Sequence, residues 1–252
     1  MKLTSLDYTI IIAFFVVSTL IGIIASRRAG KSFSEYFLAG GKMPWWMLGL
    51  SMVATTFAAD TPNLVTGIVR KEGVSGNWVW WAFLLTGLLT VFVYARLWKR
   101  SGVLTDLEFY EIRYSGAPAG FLRGFRAIYL GVVFNCLVMA NVTLAGIKLG
   151  GILLGWSPVQ TVLIAGTVTV AYTLMGGLRG VILTDCFQFV MAMVGAIAAA
   201  AVVCDLPEVG GFANLLAHEN VSGKLSMLPD FSEVNALIPL LIIPLAVQWW
   251  SS

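Results

Sequence analysis

With 252 residues the chain is long enough for one or two soluble domains, but 58% of its residues are hydrophobic, only 12% are charged and the mean hydropathy is +0.86. No water-soluble surface has that composition, so the chain reads as an integral membrane protein whose surroundings are a lipid bilayer. The net charge of +3 comes without a basic run, three cysteines lack any paired spacing and there is a single histidine, His218; a nucleic-acid partner, a disulfide framework, an enzyme built on a histidine and an organic cofactor are all excluded from the expectation.

A bilayer core of roughly 30 Å takes about 20 apolar residues per helix. Seven runs meet that length, at approximately 6–26, 44–69, 76–98, 125–153, 158–175, 180–204 and 235–252. The first is too long for a signal-peptide core and is retained. Arg27, Arg28, Lys31 and Lys42 follow it. Arg96, Lys99, Arg100, Arg113, Arg123 and Arg126 follow the third run, and Arg179 the fifth. Basic loops stay cytoplasmic, which puts the N-terminus outside.

The second run starts at Pro44 with Trp45 and Trp46 in an aromatic-belt position. From Ala54 its character changes: Thr55, Thr56, Asp60, Thr61 and Asn63 crowd into about three turns, and Pro62 removes a backbone donor. A carboxylate at mid-membrane costs roughly 2.5–3.5 kcal/mol, so Asp60 faces protein or a wet cavity. Two readings fit this stretch. Either the helix is interrupted and its freed carbonyls bind a cation, as in transporters, or it is a proline-kinked helix whose hydroxyls bond back to its own carbonyls.

The third run opens with Asn77, Trp78, Trp80 and Trp81, which suit either a stacking pocket for a solute or an outer aromatic belt. The inner segment 99–124 has acids, bases and aromatics at helical spacing and reads as an interfacial helix. Asn135, Asn141 and Thr143 on the fourth run form either a polar seam or helix-to-helix hydrogen bonds. Gly176 and Gly177 read as the tight turn between the fifth and sixth runs. Asp185 then follows as a functional acid or as one favoured by a helix N-terminus. The outer segment 205–234 holds a short amphipathic stretch near Phe212 to Leu216, and the seventh run ends at Ser252 with no polar exit, which reads as a fragment of a longer protein.

Four ordered motifs carry a resemblance: "EYFLAGGKMPWW", "PWWMLGLSMVATTFAAD", "LTDLEFYEIRY" and "YTLMGGLRGVILTDCFQ". Together they resemble the sodium/solute symporter family, relatives of sodium-coupled glucose and proline transporters. The resemblance implies an all-α, polytopic membrane protein with the LeuT-like inverted-repeat fold. The chain would hold an extra N-terminal helix, the first five-helix repeat and the start of the second. The implied function is symport of a small organic solute with Na⁺ as coupling ion; the competing reading is the solute-sensing membrane domain of a histidine kinase.

Carried over by position, the family's sodium site falls on the backbone carbonyls of Ala54 and Phe57, with Thr56 between them where relatives have an acid or amide. Asp185 is implied in cation coupling, and Gln188 completes the same "TD..Q" pattern. Asp60, Thr61 and Asn63 stand where solute contact or gating is expected, beside Asn77 and Trp80.

Overall fold

The computed structural model describes residues 3–58, 60–81, 83–232, 234, 238–243 and 245–246, and among these every regular element is helical. In chain order they are α1 (Ser5–Ala29), α2 (Phe33–Leu38), α3 (Trp45–Thr56) and α4 (Thr61–Glu72), then a 3₁₀ turn at Val74–Asn77, α5 (Trp78–Trp81) and α6 (Phe83–Leu89). A π turn at Thr90–Tyr94 leads into α7 (Ala95–Ser101), followed by α8 (Asp106–Arg113) and α9 (Gly116–Ile128). A second π turn, Tyr129–Phe134, joins α9 to α10 (Asn135–Leu154); α11 (Pro158–Cys204), α12 (Phe212–Ala217), α13 (Glu219–Ser222) and a π turn at Ile238–Ile242 complete the described path. Most of the expected seventh span lies outside the described residues.

Among the described residues, three stretches are long and apolar enough to cross a membrane unaided: Ser5–Ala29, Gly116–Leu154 and Pro158–Cys204. The second differs from the sequence expectation. The inner segment is not one interfacial helix: α8 ends at Arg113, and α9 starts at Gly116 and runs on into the span. Pro118 falls in the first turn of α9, where a missing N–H costs nothing because that donor has no intrahelical partner.

The chain forms two compact units, Met1–Thr61 with Asn141–Gly211, and Pro62–Ala140 with Phe212–Ser252. The first is built around α1 against α11. Ser18, Gly22, Ala25 and Ala29 are buried on α1, as are Gly176, Gly180 and Thr184 on α11. Their spacing puts a small residue at about every turn of both helices, so the backbones close on each other where larger side chains would hold them apart. A Cβ added at Gly22 would sit 3.0 Å from the Tyr172 carbonyl oxygen, and one at Gly180 would sit 3.4 Å from the Ala25 Cβ. Phe14 stacks on Phe187 further along the same contact, with ring centroids 5.9 Å apart.

α11 is helical throughout except at Gly177, where φ 55° and ψ −163° break it. That positive φ suits glycine alone. Into the break fits α2: a Cβ at Gly177 would meet the Tyr36 carbonyl oxygen at 2.7 Å, and the Tyr36 hydroxyl donates to the Leu174 carbonyl at 2.9 Å. Two of the motifs quoted above thus meet, one supplying the glycine and the other the tyrosine.

In the second unit α8 is pinned to α9 by Arg123 with Glu111 and by Arg126 over the Tyr110 ring, 5.0 Å from its centroid. The α4 to α5 corner is tied to the segment after α13. Val74 N–H donates to the Lys224 carbonyl at 2.9 Å, and the Trp78 indole N–H to the Met227 carbonyl at 2.9 Å. His218 serves as a turn residue there, its Nδ1 accepting from the Asn220 N–H at 3.2 Å.

Candidate cation and solute site

α3 stops at Thr56 because Phe57 leaves helical geometry, with φ −93° and ψ 88°. The Phe57 N–H still donates back to the Val53 and Ala54 carbonyls, both at 3.1 Å. Beyond it the chain closes on itself: Thr61 N–H donates to the Ala58 carbonyl and Ala58 N–H to Thr61 Oγ1, each at 3.1 Å. This reciprocal pair spans the break and starts α4.

The consequence for the backbone is specific. Among the described residues, no N–H donates to the carbonyls of Thr56 or Phe57, whereas the Ala54 carbonyl has one lone pair engaged by Phe57. A carbonyl oxygen accepts twice, so both Ala54 and Phe57 keep capacity for a hard cation. Sodium, small and hard, suits carbonyl and hydroxyl oxygens rather than nitrogen or sulfur.

The threonines behave as the kinked-helix alternative expects. Thr55 Oγ1 donates to the Ser51 carbonyl at 2.8 Å, and Thr56 Oγ1 to the Val53 carbonyl at 2.9 Å. Thr56 therefore points its proton back along α3, leaving oxygen lone pairs as its remaining capacity. The interruption and the back-bonding coexist.

Asp60 is half-buried, and its Oδ2 accepts from the Asn141 amide of α10 at 3.0 Å. No ion pair reaches it among the described residues. Among the described residues the partner is a neutral donor, and the contact is a hydrogen bond from α10 to a neighbouring element, one of the two readings open for Asn141. Thr61 is buried, with its oxygen already accepting from Ala58.

Asp185 lies on α11 eight residues past Gly177, too far from that helix start for a macrodipole acid, since the effect fades within the first turn. Instead Ser51 Oγ of α3 donates to its Oδ2 at 2.5 Å. Ser51 lies within the quoted motif "PWWMLGLSMVATTFAAD", but a lone serine in an apolar helix gives no local sign of its partner, so the sequence assigned it no role. Gln188 sits half-buried one turn on from Asp185. Asn63, Asn77 and Trp80 belong to the second unit. There Asn77 is buried, with its Nδ2 donating to the Val74 carbonyl at 3.1 Å and its Oδ1 lacking a partner among the described residues. Trp80 meets Phe83 edge to face at 6.1 Å.

The model of the sodium:solute symporter family matches residues 36–231, a range that takes in the end of α2 from Tyr36, the break after α3, and Asp185. The chain belongs to the sodium:solute symporter family. It is 26% identical over 233 residues to a zebrafish (Danio rerio) sodium/glucose cotransporter 4, covering 90% of this chain and 34% of that protein. It is 28% identical over 248 residues to the sodium/sialic acid symporter NanT of Aliivibrio fischeri, covering 95% and 46%. With human sodium-coupled monocarboxylate transporter 2 it shares 28% identity, covering 89% and 35%.

A solved structure of a Na⁺-coupled sialic acid symporter, substrate-bound and outward-open, superposes with a TM-score of 0.78 at 21% identity, covering 95% of this chain and 49% of that one. At that identity the match is one of fold. The chain spans about a third to a half of the length of these relatives. Family membership and apolar helices together make it a multi-pass membrane protein. All of the named relatives are transporters, which does not favour the sensory alternative.

Proposed function

We propose that this chain supplies part of the cation site of a sodium-coupled symporter for a small organic solute, working by alternating access in the cytoplasmic membrane with its N-terminus outside. One observation carries the reading: α3 is interrupted at Phe57, and the Phe57 carbonyl is left without a described donor in a family that moves solutes with sodium. Sodium is here a co-substrate. It takes the Ala54 and Phe57 carbonyls, with Thr56 oxygen beside them, and further oxygens from elsewhere in the transporter; such neutral ligands bind weakly enough for release at every cycle.

Asp185 supplies the charge that draws the ion along its route, and Asp60 with Asn141 meets the solute. Thr61, Asn63, Asn77, Trp80 and Gln188 shape or gate its path. In this reading the seven expected spans are the extra N-terminal helix, one five-helix repeat and the opening of its inverted counterpart. Coupling needs only that sodium and solute favour the same conformer, in which case each raises the other's affinity by the same factor.

The test is uptake by the full-length protein in liposomes under an inward sodium gradient, across sugars, amino acids, carboxylates and vitamins. Accumulation of at least one solute that collapses when potassium replaces sodium is expected. Accumulation indifferent to sodium contradicts the reading.

A further inference from the structure

We infer that Ser51 is a positioning residue for the Asp185 carboxylate, fixing the orientation in which that carboxylate serves the cation. The inference rests on the proposed role of Asp185 in cation coupling. A hydroxyl inside a helix ordinarily gives its proton to a carbonyl one turn back. Thr19, Thr55 and Thr184 do so, donating to Phe15, Ser51 and Gly180 at 2.8 Å each. Ser51 instead reaches across to α11 and donates to Asp185 Oδ2, 134 residues away in the chain.

Three further features make this contact more than packing. Ser51 precedes Ala54 by three residues, so it lies about 4.5 Å along α3 from that one of the two proposed carbonyl ligands. One turn earlier on α3, the Met47 carbonyl accepts from Cys186 Sγ at 3.9 Å, so consecutive residues of α11 are held at consecutive turns and the register is set. Finally, neither Arg179 nor any other described base pairs with Asp185. The carboxylate is oriented by a neutral donor through one oxygen, while Oδ1 accepts no hydrogen bond from a described residue. An arginine in the place of Ser51 would orient the acid equally well and cancel its charge; a serine orients it and leaves the charge for an incoming ion.

The experiment needs no solute. Equilibrium binding of radioactive sodium to the purified full-length protein is measured for wild type, Ser51→Ala, Ser51→Thr, Asp185→Asn and the Ser51→Ala/Asp185→Asn double variant. Loss of a hydrogen bond to a charged group predicts that Ser51→Ala weakens sodium roughly tenfold or more. Ser51→Thr, which keeps the hydroxyl, stays within about twofold of wild type, and the double variant binds no more weakly than Asp185→Asn. If the alanine variant does not fold, Ser51→Cys, close in size and a weak donor, gives the same readout with a shift in the same direction. Unchanged binding in Ser51→Ala beside weakened binding in Asp185→Asn overturns the positioning role alone, as does a double variant whose losses add. Unchanged binding in Asp185→Asn overturns the coupling role of the acid, and this inference falls with it.

Discussion

Two helices of the first unit are interrupted, and the interruptions are of opposite kinds. At Gly177 the break in α11 is filled: the Tyr36 backbone occupies the space a Cβ would need, the Tyr36 hydroxyl satisfies the Leu174 carbonyl, and Gly176 is buried against Gly22. At Phe57 the break after α3 has, among the described residues, no N–H donor to the Thr56 and Phe57 carbonyls, and the acid Asp60 is met by one amide. A break closed by close packing sets the path of the chain. A break that keeps carbonyls available is ready to bind something. Both contain small residues and polar neighbours, so the distinction lies in what packs against them.

The comparison is tested most severely by Gly177→Ala. With φ 55° and ψ −163° it sits in backbone space that costs a side-chain-bearing residue roughly 1–3 kcal/mol, and the added Cβ would stand 2.7 Å from the Tyr36 oxygen. Folded protein recovered from membranes, measured by fluorescence-detected gel filtration, is expected to fall severely, whatever the sodium concentration. Next in size is Asp60→Asn in the full-length protein. Removing the charge at the open break leaves insertion and yield near wild type while sodium-driven uptake drops about tenfold or more, a loss of about 1.4 kcal/mol or greater. Normal uptake in that variant would return Asp60 to a structural role and blur the contrast.

The sequence marked both places. Asp60, Pro62 and the crowded hydroxyls marked one without deciding between an interruption and a kink, and the glycine pair marked the other as a tight turn. Asn141 was visible as a polar residue on an apolar run, although not as the partner of Asp60. What could not be read was pairing across the chain: Tyr36 meets Leu174 over 138 residues and Ser51 meets Asp185 over 134, and neither contact has a local pattern. The inner segment went the other way: its helical spacing did not show that α8 ends at Arg113 and that α9 starts at Gly116 and runs on into the span.

A smaller effect sharpens the structural side of the comparison. Tyr36→Phe removes the single hydroxyl bond that serves the Leu174 carbonyl and should lower stability by about 1 kcal/mol, seen as a lower Tm, with sodium binding unchanged. Smaller still is a local effect in the outer segment, remote in sequence from both breaks. The Asp230 carboxylate is held below its usual range by the Ser232 N–H and then by the Ser232 hydroxyl, at 2.9 and 2.8 Å. A depressed folded value means that this turn is favoured above the ordinary aspartate range and loses its support as pH falls through the folded value. Protection of the Ser232 amide from hydrogen exchange, taken relative to Asp230→Asn, should decline with acidification in that window.

The central claim is that the break after α3 responds to sodium while the break in α11 does not. In a full-length background lacking Cys136, Cys186 and Cys204, single cysteines are placed at Ala58 and at Met175, and their rates of modification by a maleimide are compared in sodium and in potassium. The account predicts that sodium slows labelling of Ala58→Cys several-fold in a saturable manner and leaves Met175→Cys unchanged. Equal labelling of Ala58→Cys in both ions, or the same sodium effect at both positions, would contradict it.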